Sequence, residues 1–275
     1  MSKWIDLHLH TIASDGTSTA TEVVERAKKL QINAIAITDH DSVESIHEAR
    51  ILGRKLGIEV IPGIELSAYS GESEIHILGY YFDDQNHDFI KKLDELCIVR
   101  EQRIHQIVEK LRQNNVDISI DDVLKFSGEG AVGRLHVARA LVQKGVVANT
   151  NEAFKKFLAN GKSAYVPKER LTTKETIELL LKIGGVPVIA HPALLGRDDL
   201  IPKLVEEGLK GIEVFHPEHS LGKVEHYKKL AKDYNLIITG GSDCHGMAKG
   251  KILMGIVKVP YELLEPLKNV HLSLN

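Results

Sequence analysis

Short apolar runs alternate with amphipathic stretches along most of this chain. Ile5 to Leu9 reads as a strand, and Thr19-x-x-Glu22 is a capping box that opens a helix to Leu30. Ala34 to Thr38 is a second strand. Asp41-x-x-Glu44, with Asp41 as the cap, opens a helix to about Leu56 that stops at Gly57. Strands follow at Glu59 to Ile64 and Ile75 to Phe82. The pattern then changes: Asp88 to Asn115 reads as one long helix, with Leu93, Leu96, Ile104, Ile107 and Leu111 at helical spacings. Three shorter helical stretches come next, near Ile120–Phe126, Leu135–Lys144 and Glu152–Leu158. Alternation resumes with a capping box at Thr172-x-x-Glu175 and a helix to Ile183. Strands at Val186–Ala190, Gly211–Phe215, Leu236–Thr239 and Leu253–Val257 close the series, with helices between.

Repeated strand–helix units of this length predict a parallel α/β architecture, and about seven of them suit a barrel better than a small open sheet. The all-helical stretch reads as an insertion. Residues 1–87 and 171–275 are therefore expected to form the barrel, and 88–170 a small helical subdomain. There is no internal repeat and no low-complexity segment.

Composition narrows the class. At 275 residues and 43% hydrophobic, the chain can bury one sizeable core beside the insertion. No run of about 18 apolar residues occurs, so neither a membrane span nor a membrane partner is expected. The first residues meet charge at once, unlike a signal peptide. Two cysteines, Cys97 and Cys244, make no disulfide framework and no thiolate metal site, and the cytoplasm is the expected compartment. The net charge of −3 is unevenly spread. Residues 91–170 carry 15 Lys+Arg against 10 Asp+Glu, and the rest 20 against 28. A basic segment on an acidic body suits an anionic ligand.

The chemistry gathers where predicted strands end. In Asp6-Leu7-His8-Leu9-His10, the two histidines share one strand face, the way a strand offers two imidazoles to one cation. Asp15 follows in the loop. Thr38-Asp39-His40-Asp41 ends the second strand and Gly63-Ile64-Glu65-Leu66-Ser67 the third. His76 lies in the next strand, His191 ends another, and Asp243-Cys244-His245 completes the set. In parallel α/β barrels these ends share one rim. A lone histidine there is usually a satisfied structural residue. Nine titratable groups together would carry a large desolvation cost that metal ions offset. Asp39 is a candidate partner for an imidazole.

His8-x-His10, Asp15, Thr38-Asp39-His40, Gly63-x-Glu65, His76, His191-Pro192 and Asp243-x-His245 resemble the signature of the PHP (polymerase and histidinol phosphatase) family. The resemblance implies a distorted (β/α)7 barrel with a trinuclear site. By motif, His8, His10, Glu65 and Asp243 would hold one metal. Glu65, His76 and His191 would hold a second, with Glu65 bridging, and Asp15, His40 and His245 a third. Two or three divalent cations are implied: manganese foremost, with iron or zinc as alternatives. A carboxylate at Asp15, where some relatives carry histidine, leans towards manganese or iron.

Gly133-Arg134-Leu135-His136-Val137-Ala138-Arg139 and Tyr165-Val166-Pro167 resemble the branch that dephosphorylates nucleoside 3′,5′-bisphosphates and trims short RNA from its 5′ end. That similarity implies that Arg134 and His136 reach a substrate phosphate; Arg139, Lys168 and Arg170 are further candidates. Leu135 stands where many relatives have proline. His216, in Glu213-Val214-Phe215-His216-Pro217, is a candidate catalytic residue alongside His191 and Asp243.

Adjacent divalent cations supply an activated bridging hydroxide, oxygen ligation and an in-line clamp, so no covalent serine or cysteine intermediate is expected. The leaving oxygen takes its proton from His216 or from a metal-bound water. Rival readings are a phosphatase for a small metabolite such as histidinol phosphate, and a non-catalytic metal-binding module. No RNA-binding module is recognisable, and aromatic residues make up only 5% of the chain. The expected partner is a small phosphorylated nucleotide or short RNA, with Tyr165 or Phe215 available to one base, and not a stable duplex.

Overall fold

Three parallel strands open the fold: β1 (Trp4–Leu9), β2 (Ile32–Ile37) and β3 (Glu59–Ser70). The crossovers between them are α1 (Ala20–Lys29) and α2 (Glu44–Leu56). These coordinates are a computed structural model that describes residues 3–71, 73–127, 132–167 and 171–274. The capping box at Thr19 forms with both of its bonds, and Gly57 ends α2 in the left-handed conformation at φ 71°. Asp41 does not cap α2. The N-cap is Val43, without a side-chain bond, because the Asp41 carboxylate turns away to Arg100.

β4 (Ser73–Tyr80) departs from the all-parallel expectation and runs antiparallel to β3. Ser70 pairs with Ser73, which leaves no room for the dozen or so residues a parallel crossover requires. Hydrophobic periodicity does not encode strand direction, so the pattern alone was silent on it. The hairpin also carries β3 past Ile64 to Ser70, which places Glu65 inside the strand.

Four helices follow: α3 (His87–Gln113), α4 (Ile120–Ser127), α5 (Arg134–Gln143) and α6 (Thr150–Ala153), the last running on as a wider π-turn to Leu158. They enclose their own apolar cluster, which includes Ile104, Ile107, Leu111, Val137, Leu141 and Leu158. At roughly 1.5–3 kcal/mol per fully buried aliphatic side chain, such a cluster holds a small layer together.

The barrel resumes with α7 (Thr173–Lys182), β5 (Val186–Ile189), α8 (Pro192–Leu195), α9 (Ile201–Glu206), β6 (Gly211–Phe215), α10 (Leu221–Asp233) and β7 (Ile237–Gly240). The expected strand at Leu253–Val257 is a loop. Met254 and Leu253 join the apolar cluster under α1 and α2 without pairing, and a turn follows at Gly255, φ 82°. Pairing is confined to β8 (Val259–Pro260), antiparallel to β1, before α11 (Leu264–Leu274).

The strand order is β7-β6-β5-β4-β3-β2-β1-β8. β1 approaches the far end of the sheet just past β7: Leu9 bridges Cys244, and the His10 N–H donates to the Cys244 carbonyl at 3.0 Å. Gly241 allows this approach, since a Cβ there would collide with the backbone and Cβ of His8. The result is a nearly closed, distorted barrel. Because β4 is reversed, its first half meets the C-terminal ends of the parallel strands, which brings His76 to the same rim.

Candidate metal centre

All nine predicted ligands converge at that rim. His8 alternates with the buried Leu7 and Leu9 on β1, and His10 follows on the same face; both imidazoles are fully buried. Glu65 of β3 is the hub. Its Oε2 lies 3.3 Å from His8 Nε2, 3.1 Å from His10 Nε2 and 3.5 Å from His40 Nδ1. Its Oε1 lies 2.8 Å from His76 Nδ1 and 3.1 Å from His191 Nε2. Asp243 Oδ1 faces His10 Nε2 at 3.3 Å and His8 Nε2 at 3.5 Å. Asp15 faces His245 Nε2 at 3.2 Å and His40 Nε2 at 4.0 Å. The backbone bends sharply to deliver two of these groups: His191 sits at φ 29° and Asp243 at φ 48°, in a region few non-glycine residues occupy.

The donor set fits divalent cations. Four overlapping groups of ligand atoms lie within 4.8 Å of one another: His10/Asp15/His40/His245, His8/His10/Asp243, His8/Glu65/His191 and His40/Glu65/His76. His10 Nε2, His40 Nδ1 and Asp15 Oδ1 are buried yet make no hydrogen bond of acceptable geometry, which leaves their lone pairs for another partner. Electrostatics agree. Burial would raise Glu65, but His40, His76 and His8 hold it well below the usual carboxylate range. His245 and His40 do the same for Asp15, and Lys249, His245 and His8 for Asp243. Burial would lower His10, yet Asp243, Glu65 and Asp15 lift it to about 9; Glu65 and Glu74 lift His76 equally. His40 is pushed down to about 3 by burial, with His10 and Arg100 adding to the effect.

Surrounding groups fix the ring orientations, and most escaped the sequence reading. Glu213 on β6 is fully buried, accepts from His8 Nδ1 at 3.0 Å and takes the His191 N–H at 2.7 Å. A carboxylate only accepts, so His8 Nδ1 carries a proton, and its Nε2 is the atom turned inward to Glu65. The backbone carbonyl of Asp243 does the same for His245, accepting from Nδ1 at 2.9 Å. Asp6, on the same face as His8 and His10, receives the Ser242 N–H at 2.8 Å and fixes the turn before Asp243; burial raises its pKa to about 6. Asp39 reaches its imidazole indirectly. It accepts from Thr11 and Ser14, and Ser14 Oγ lies 3.5 Å from His10 Nδ1. An unexplained acid in the buried strand Gly211–Phe215 was the available signal for Glu213.

A cavity of about 240 Å³ opens over the ligands. Asp15, His40, Glu65, His76, His191, Asp243 and His245 form one side, and Arg100, Arg103 and Arg134 line another. Arg134 donates to Glu74 at 2.8 Å. Arg103, absent from the sequence-level candidates, donates through Nε to the Val166 carbonyl at 2.8 Å, while its buried Nη2 has no hydrogen-bond partner. Arg100 is paired with Asp41, and Lys249 donates to Asp243 at 2.8 Å. His136 is fully buried behind Gly133, whose N–H it accepts on Nδ1 at 3.1 Å; burial pushes it down to about 4. It therefore carries its proton on Nε2, which has no partner. Arg139 does not line this cavity and stacks over Phe126, 4.6 Å from the ring centroid. His216 accepts the Glu218 N–H on Nδ1, so its proton sits on Nε2, 3.6 Å from Asp243 Oδ2. Lys168 and Arg170 lie outside the described residues.

Known proteins share this arrangement. The PHP domain profile matches residues 6–164. A 5′-3′ exoribonuclease of Haemophilus influenzae is 35% identical over 250 residues, 89% of this chain and 91% of that one. A phosphoribosyl 1,2-cyclic phosphate 1,2-diphosphodiesterase of Eggerthella lenta is 32% identical, covering 88% and 94%. A 3′,5′-nucleoside bisphosphate phosphatase of Chromobacterium violaceum is 31% identical, covering 90% and 88%. A crystal structure from Bifidobacterium adolescentis, described as a metal-dependent phosphoesterase, superposes with a TM-score of 0.89 at 30% identity, over 98% of this chain and 96% of that one. With a barrel rim of six imidazoles and three carboxylates and relatives of this kind along nearly its whole length, the chain belongs to the PHP domain family and is a metal-dependent phosphoesterase.

Proposed function

We propose that this enzyme removes the 3′-phosphate of nucleoside 3′,5′-bisphosphates and trims short 5′-phosphorylated RNA from its 5′ end. The observation that carries this reading is one cavity lined both by the ligand cluster and by the guanidinium groups of Arg103 and Arg134, with Glu74 beside Arg134. A substrate with one phosphate needs only the ligand cluster. Residues 1–87 and 171–275 supply the cluster, and 88–170 supply the arginines.

In this reading His8, His10, Glu65 and Asp243, then Glu65, His76 and His191, then Asp15, His40 and His245 hold two or three divalent cations. Manganese is the first choice, on the carboxylate at Asp15, with iron or zinc as alternatives. The cations, when bound, activate water and neutralise the phosphoryl oxygens. Arg134 keeps donors beyond the one given to Glu74, and Arg103 offers Nη2; together they grip the non-reacting 5′-phosphate. Binding energy from that remote group positions the scissile phosphate. As water adds its oxygen to phosphorus, the P–O3′ bond breaks and O3′ leaves with a proton. The attacking water's own proton balances the step, and His216, whose Nε2–H faces Asp243 Oδ2 at 3.6 Å, is the candidate group that orients it. His136 packs behind Gly133 and positions Arg134. The relatives named for a bisphosphate phosphatase and an exoribonuclease support this choice, and the cytoplasm is the proposed compartment.

The Eggerthella lenta relative, named for a cyclic phosphodiester, supports a second reading as a cyclic ribose phosphate diesterase. The test is a turnover comparison with manganese-loaded protein on adenosine 3′,5′-bisphosphate, a 5′-phosphorylated triribonucleotide, a ribose 1,2-cyclic phosphate and histidinol phosphate. Preference for the first two is expected. Preference for either of the others would overturn the substrate assignment.

A further inference from the structure

A second cavity, of about 430 Å³, opens beside the first, within the roughly 300–1,000 Å³ range of ligand pockets. It lies between the helical layer and the loop after β7. Phe126, Arg139, Val142, Asn149, Met247 and Lys249 are among its lining residues, and among the described residues no acidic side chain lines it. Lys249 lines both cavities, and it is the residue that donates to Asp243 of the ligand cluster.

We infer that this cavity receives the nucleotide on the 3′ side of the scissile phosphate when the substrate is an RNA chain. The inference rests on the proposed function and extends it. With the 5′-phosphate on Arg103 and Arg134 and the scissile phosphate on the ligand cluster, the next nucleotide must leave by a different edge. Lys249, beside Asp243, marks that edge. Past it the lining pairs cationic with apolar groups, as a nucleotide demands. The Arg139 guanidinium sits over the Phe126 ring, 4.6 Å from its centroid, and is the group on which a base would stack. The Met247 side chain is 57% exposed at the mouth. Lys249 and Arg139 offer positive charge to the next phosphodiester. A nucleoside 3′,5′-bisphosphate ends at the scissile phosphate and leaves this cavity empty, so the two substrate types differ in their use of it.

The test compares Met247→Glu and Arg139→Ala with the unaltered enzyme on adenosine 3′,5′-bisphosphate and a 5′-phosphorylated triribonucleotide. Met247 is exposed and outside the catalytic cavity, so Met247→Glu should leave bisphosphate turnover within about twofold. Both variants should lower kcat/KM on the trinucleotide about tenfold, the scale of one lost stacking contact. A second readout is independent of turnover: a 5′-phosphorylated dinucleotide with 4-thiouridine at its second position should photocrosslink within residues 139–150 or 247–250. Equal losses on both substrates, no loss on the trinucleotide, or crosslinking elsewhere overturns the inference. An enzyme that hydrolyses neither substrate overturns the proposed function instead, and the crosslink still decides this site.

Discussion

Replacing Arg100 with methionine tests how the helical layer is fastened to the barrel. Arg100 on α3 donates through Nε at 3.0 Å and through Nη2 to the same oxygen of Asp41, in the loop after β2. Asp41 is 1% exposed and Arg100 8%. Burial would lower Arg100, but Asp41 outweighs it and raises the guanidinium above its ordinary value. Methionine preserves much of the length and removes the charge, leaving the Asp41 carboxylate buried without its guanidinium. Breaking a buried pair from one side costs about 3–5 kcal/mol. With unfolding entropy of about 2.1 cal/mol/K per residue over 275 residues, the thermal midpoint should fall by about 5–9 °C. Circular dichroism melts and denaturant titrations measure this directly. Asp41→Asn combined with Arg100→Met should cost clearly less than the sum of the single changes, because the two side chains act as a unit. KM should rise as well, since α3 also carries Arg103. A midpoint shift below about 1 °C, or strict additivity in the cycle, would refute the clasp.

Three further outcomes follow from individual contacts. Arg134→Ala should lower kcat/KM on nucleoside 3′,5′-bisphosphates by about 10- to 100-fold, the worth of charged hydrogen bonds to one phosphate. It should spare a nucleoside 3′-monophosphate, and equal losses on both would remove Arg134 from the second phosphate. Glu213→Gln cannot accept from both His8 Nδ1 and the His191 N–H, so metal affinity in a chelator competition should fall about 10- to 100-fold; unchanged affinity would contradict the orienting role. Glu59 accepts from Lys268 at 2.7 Å and from the Tyr261 hydroxyl at 2.7 Å; these outweigh burial and lower its pKa from 4.5. A lowered folded-state value gives stability that is present above 4.5 and lost as pH falls through the folded value. Glu59→Gln should therefore cost under about 1 kcal/mol at neutral pH, after solvent screening. The gap to the unaltered protein should close in acid; a gap that persists there would point to packing.

The ligands were legible because they are chemically conspicuous: His8-x-His10, His40, His191-Pro192 and Asp243-x-His245 punctuate apolar strands with imidazoles. Strand boundaries followed wherever burial on both faces made the apolar run continuous, as in Val186–Ile189. The reversed direction of β4 was not legible, because direction is set by the shortness of the Ser70–Ser73 turn and not by periodicity. Leu253 and Met254 misled for the opposite reason: they are apolar for the core and not for a ladder. Asp41 and Glu44 satisfy the helix-start pattern, yet a cation 59 residues away outcompetes local capping. The same limit hid Glu213, Arg103 and Lys249. Each is an ordinary charged residue in sequence, and only long-range contacts reveal what it holds.

The central claim is that nine side chains from seven separate stretches act together as one polynuclear site. Anomalous diffraction from manganese-soaked crystals of the unaltered enzyme tests it most directly. Two or three peaks should appear between Glu65 and its surrounding imidazoles, reaching Asp243 on one side and Asp15 on the other. No peak there, or manganese bound only elsewhere on the surface, would contradict the account.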